Sequence, residues 1–166
     1  CYETASDALE CLGFIRNDRS QPIERVSASI KLYYASGTLV AEQTAHVEQR
    51  FIPPGDAAPY RALFLGETVK ASRFMLVSLR SADLADPSPL LLIQNESINQ
   101  QDNLFTVTAQ VKNPGSLPYA NVRAVLTLYD AEDRVAGYRV MDLGTLLPES
   151  ALPVHIQVQA YCVKCG

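Results

Sequence analysis

The most constraining feature of this chain is a gapless internal repeat. Asn17-Asp-Arg-Ser-Gln-Pro-Ile-Glu-Arg-Val-Ser-Ala-Ser-Ile-Lys-Leu-Tyr-Tyr-Ala35 aligns with Asn113-Pro-Gly-Ser-Leu-Pro-Tyr-Ala-Asn-Val-Arg-Ala-Val-Leu-Thr-Leu-Tyr-Asp-Ala131 at a constant offset of 96 residues. Eight of the 19 positions are identical. Average residue frequencies would give about one. Downstream, Pro54-Gly-Asp-Ala-Ala-Pro59 resembles Pro148-Glu-Ser-Ala-Leu-Pro153 at an offset of 94. Upstream, Leu9, Cys11, Gly13 and Ile15 fall on Phe105, Val107, Ala109 and Val111. A period this long marks duplication of a whole domain rather than a solenoid. In a chain of 166 residues it predicts two units of one kind, residues 1–82 and 90–166. A linker over 83–89 carries Pro87 and Pro89, which make it short and semi-rigid.

Each unit reads as β structure. Val26, Ala28, Ile30 and Leu32 alternate with Ser27, Ser29, Lys31 and Tyr33, and Val122, Ala124, Leu126 and Leu128 alternate with Arg123, Val125, Thr127 and Tyr129. Period-two alternation marks a strand with one face on a core. Ile30, Leu32, Leu126 and Leu128 are therefore expected to be buried. Residues 9–16 and 104–112 alternate in the same way. Asn17–Pro22 and Asn113–Pro118 make turns. Further strands are expected over 38–51, 60–65, 74–81, 90–95, 134–141 and 153–161. Short strands separated by turn signals, with no segment of helical period, imply antiparallel β-sandwiches. The strand at 74–81 has no counterpart after the second repeat, and the one at 90–95 would have its counterpart upstream of Cys1. The second unit is thus expected to carry an open sheet edge that needs a cover.

Leu126-Thr-Leu-Tyr-Asp130, following Asn113, Pro118 and Val122, resembles the FxLYD domain, with Leu126 in place of Phe. In the first copy the motif reads Ile30-Lys-Leu-Tyr-Tyr34, so both Phe and Asp are replaced. The resemblance covers about residues 9–64 and 105–158. It implies an all-β fold of two tandem antiparallel immunoglobulin-like β-sandwiches, of the kind found in bacterial and archaeal envelope proteins. It implies no catalytic residue.

Composition narrows the function classes. The chain carries 14 basic and 18 acidic residues, a formal charge of −4, which argues against nucleic acid held by counterion release. Apolar runs such as Leu90–Ile93 are too short to span a membrane as a helix. His46 and His155 are expected to face solvent, with no Asp or Cys at ligand spacing. Asp130, Glu132 and Asp133 read as a solvated turn, with a weak Ca²⁺ site as the alternative. Asn95-Glu-Ser97 fits the glycosylation pattern, a common accident.

The cysteines are the sharpest feature. Cys162-Val-Lys-Cys165 has the spacing of half a zinc site and lacks the other half. Three readings stay open for Cys11, Cys162 and Cys165: a structural disulfide involving Cys162 or Cys165, free thiols, or a metal. Cys11 matches Val107 of the other copy, where a buried thiol would pack as well as Val. Cys1 suggests a lipid anchor, with the short polar stretch after it running extended toward a membrane; the alternative is an arbitrary start. The preferred reading is a non-catalytic structural or protein-binding module without cofactor. It acts outside the cytoplasm, in the cell envelope or secreted, with a protein partner such as a membrane-associated complex and with peripheral membrane association. The rival is a small redox or metal protein working through Cys162 and Cys165.

Overall fold

The computed structural model describes residues 1–4, 6–66, 71, 73–83 and 91–161. The chain forms two compact units, Cys1–Asp86 and Pro87–Gly166. Among the described residues every regular element is a strand, and every pairing is antiparallel. Residues 84–89 of the expected linker lie outside the described residues.

The first unit contains β1 (Tyr2–Glu3), β2 (Leu9–Arg16), β3 (Ile23–Tyr33), β4 (Leu39–His46), β5 (Phe51–Ile52), β6 (Ala57–Phe64) and β7 (Arg73–Asp83). One sheet has the order β1-β2-β6; in the other, β3 lies between β7 on one side and β4 and β5 on the other. Both contribute to a single core, with Cys11, Ile15, Ala62 and Phe64 from the first sheet and Val26, Ile30, Leu32 and Ile52 from the second. The alternation of β3 explains its burial: Ile30 and Leu32 are 2% and 1% exposed. Lys31 points the other way and pairs with Glu42. On the opposite sheet Gly13 lies directly across from Tyr60. A Cβ at Gly13 would sit 2.5 Å from the Tyr60 ring, so only glycine lets the ring lie over the strand.

The second unit contains β8 (Leu92–Gln101), β9 (Leu104–Lys112), β10 (Tyr119–Tyr129), β11 (Val135–Leu146) and β12 (Ala151–Gln159). Its sheets are β12-β9-β8 and β10-β11. The repeat in sequence is a repeat of strand register. Leu9 pairs with Phe64 as Phe105 pairs with Val158, and Ile30 pairs with Gln43 as Leu126 pairs with Arg139. A register shift falls at Leu32/Tyr33 and again at Leu128/Tyr129. Positive φ recurs at Arg25 and Asn121, equivalent positions.

The expected strand over 38–51 is broken. β4 stops at His46 and pairing with β3 resumes only at Phe51, whereas β11 continues to Leu146. The offset between the copies drops from 96 to 94 at this place. Two extra residues in the first copy are therefore carried outside the ladder over 47–50. There Val47 N–H donates to the Val26 carbonyl and Glu48 N–H to the Pro59 carbonyl.

β1 pairs β2 as the end of β8 pairs β9, with Tyr2 and Glu3 at the places of Asn99 and Gln100; no described residue of the first unit takes the place of 92–95. Residues 1–4 and 6–7 do not run on extended. Thr4 N–H donates to the Ala8 carbonyl and Asp7 N–H to that of Thr4, which folds the chain back as a hairpin.

The burial expected at Leu126 and Leu128 is not reached. Both are half-buried, where their equivalents Ile30 and Leu32 are sealed. The difference is one strand: β7 flanks β3, and no described strand flanks β10 on that side. Leu32→Ala should therefore cost about 2–5 kcal/mol and Leu128→Ala only about 1–2 kcal/mol. Urea unfolding of the two variants checks this, and equal losses would mean that the second core is closed.

Candidate functional site

Three features carry what the structure offers: a disulfide, a pair of buried asparagines and a set of uncovered apolar strand faces.

The β1–β2 register places Tyr2 opposite Glu10, and one step further along sets Cys1 opposite Cys11. Their sulfurs are bonded. Below this bond the Glu10 side chain is buried, and it accepts a hydrogen bond from the Tyr2 hydroxyl at 2.6 Å and an ion pair from Arg61 Nε. A buried carboxylate is tolerated when its oxygens are paired in this way. Cys11 does occupy the core position of Val107, yet as a half-cystine and not as the free thiol considered from the sequence. The anchor expectation at Cys1 and this disulfide exclude each other, because a sulfur bonded to Cys11 has no valence left for a thioether. Cys162 and Cys165 lie outside the described residues. Reduction should destabilise the first unit by about 2–3 kcal/mol through the freed loop. Denaturant melts with and without reductant measure this, and a melt unchanged by reductant would count against the bond.

Asn17 and Asn113 are equivalent in the repeat and are both buried. Asn17 Nδ2 donates to the carbonyls of Gln21 (2.8 Å) and Ile52 (2.9 Å), and its Oδ1 accepts from Arg19 N–H at 3.0 Å. Its backbone N–H donates to the Asp56 carbonyl, and its own carbonyl accepts from Gly55 N–H. Asn113 repeats the pattern. Its Nδ2 faces the carbonyls of Leu117, Leu146 and Leu147, its Oδ1 accepts from Gly115 N–H, and its backbone N–H donates to Ser150. Sequence reasoning placed these asparagines in turns and missed that they are buried brackets; their identity in both copies was the available signal. Asn113→Asp keeps the shape and removes the donor, so it should cost about 2–3 kcal/mol by orphaning buried carbonyls. Thermal or urea unfolding reads the loss, and a cost under about 0.5 kcal/mol would refute the bracket.

The remaining sequence candidates fall into place on the surface. His46 and His155 are both exposed. His155 borders an open depression over the β11–β12 seam with Arg139, Met141 and Gln157; no carboxylate or thiol lines it. The carboxylates of the 130–134 hairpin serve the turn itself. Asp130 Oδ1 accepts from the N–H groups of Glu132 and Arg134, while its Oδ2 takes Arg134 Nε at 2.7 Å. The backbone bond from Arg134, then its side chain, hold the Asp130 carboxyl below its usual range. Glu132 takes the other arm of Arg134. Among the described residues no three His, Cys, Asp or Glu side chains gather as a metal site.

Two strands carry rows of exposed apolar side chains. On β7, Phe74, Leu76 and Leu79 lie directly across from Leu32, Ile30 and Ala28 and so share the core-facing side of the sheet. They are nevertheless 60%, 46% and 53% exposed. On β8, Ile93 and Ile98 lie across from Val111 and Val107, again on the core-facing side, and are 63% and 68% exposed. No family model and no curated protein matches this chain.

Proposed function

We propose that the chain is a non-catalytic tandem pair of immunoglobulin-like β-sandwiches, a structural or protein-binding module on the extracytoplasmic side of a membrane. The observation that carries the compartment is the Cys1–Cys11 disulfide. Such bonds persist in oxidising compartments and are rare in the cytosol. The immunoglobulin-like reading is supported by antiparallel sheets on a shared core, joined by turns that cross between them. The FxLYD resemblance gains a physical sense, because the Asp of its Leu-Tyr-Asp motif ties the 130–134 hairpin.

A binding role is supported by the core-facing apolar side chains that β7 and β8 leave uncovered. Apolar residues set side by side on one sheet face mark contact surfaces. With the Cys1 sulfur bonded to Cys11, this reading places no lipid on Cys1. Intact mass spectrometry of the native protein tests the reading. Alkylation should reach Cys1 and Cys11 only after reduction, with no acyl chain on Cys1. Alkylation of both thiols without reductant would overturn the compartment, and a diacylglyceryl mass on Cys1 would replace the disulfide by an anchor.

A further inference from the structure

The two copies differ in how the seam between their sheets is closed. In the first unit Gln43 Nε2 bridges β4 and β6 by donating to the Leu63 carbonyl at 3.3 Å. Arg139 takes the place of Gln43, pairing with Leu126 as Gln43 pairs with Ile30. Gln157 takes the place of Leu63, pairing with Thr106 as Leu63 pairs with Glu10. Among the described residues Arg139 makes no such bridge, and a depression of about 350 Å³ opens over the seam, lined by Arg139, Val140, Met141, His155, Ile156 and Gln157. The charge here is also unmatched. His155 stands in the place of Arg61 and Thr106 in that of Glu10. The first unit supplies its own carboxylate in the Arg61–Glu10 ion pair. The second has a hydroxyl there, which accepts from Gln157 Nε2 at 3.3 Å. Arg139 and His155 are both exposed, and among the described residues neither has a hydrogen bond or an ion pair.

We propose that this depression is a docking site for an acidic side chain of a partner protein, whose carboxylate is met by Arg139 and His155. This deepens, and rests on, the protein-binding reading. A guanidinium is planar and presents paired N–H donors that match the two oxygens of a carboxylate. An imidazole donates at least one N–H in either charge state. No carboxylate lines the depression to compete, and Asp142, next along the chain, is already paired with Arg123 at 3.2 Å. Val140 and Met141 are half-buried along it and offer apolar contact to the stem of a Glu, for which the flexible Met adapts well. Because the depression is open, it suits one side chain of a surface laid across it; a small-molecule site encloses most of its ligand.

The probe is a synthetic peptide of alternating Glu and Leu, added to the full chain and followed by NMR of the Arg139 Nε–H and the His155 ring. Saturable shifts of both are expected, and none from the same peptide with Gln in place of Glu. Arg139→Gln alters an exposed side chain, so folding is kept, and it should weaken the peptide about fivefold or more. Arg123→Gln, at a cation already paired with Asp142, should leave the affinity unchanged. Equal shifts with the Gln peptide, an affinity indifferent to Arg139→Gln, or shifts that never saturate would each overturn the site. Free glutarate binding as tightly as the peptide would overturn the protein source. Those results leave the disulfide test of the compartment standing, and a reduced Cys1 and Cys11 would overturn the compartment while leaving the carboxylate site intact.

Discussion

The structure of each unit hangs on one buried asparagine. Asn17 sits where the chain leaves β2 in one sheet and enters β3 in the other. It also holds Ile52 and Asp56, where the chain crosses back from β5 to β6. These two inter-sheet crossings are thus pinned to a single residue. Asn113 does the same for the second unit. An amide suits this place because it donates and accepts at once, and in a buried position each of those bonds is costly to lose.

With the sheets pinned, the two copies share the pairing of their central strands. β2, β3 and β6 superimpose in register on β9, β10 and β12, down to the shift after Leu32 and Leu128. The edge strands differ. The first unit has a long β7 and a two-residue β1, and the second has a long β8 and no described strand beside β10. Each unit carries one strand with exposed apolar side chains, β7 in the first and β8 in the second. Edge strands take part in only one ladder, so they change length at less cost to the core than a central strand does. The half-buried Leu126 and Leu128 record that cost in the second unit.

The site was less legible than the fold. Cys11 was recognisable as a core position from its match to Val107, but its partner was not. Cys1 meets it only because the turn at Thr4–Ala8 folds the chain back, and no local pattern announces such a turn. The Asp130 cluster is a matter of hydrogen-bond direction. Its carboxylate faces the N–H groups of its own hairpin, which composition cannot distinguish from a carboxylate facing a cation.

By itself the sequence determined the duplication, the β character of every segment and the inward rows of β3 and β10. These follow from side-chain alternation and turn chemistry, which act over a few residues at a time. Only the tertiary structure decided which cysteines meet, which turn asparagines are sealed, and where apolar rows go uncovered. Those outcomes depend on which strand faces which across the core. That facing is set by two sheets docking over distances of tens of residues in sequence, where no local pattern reaches.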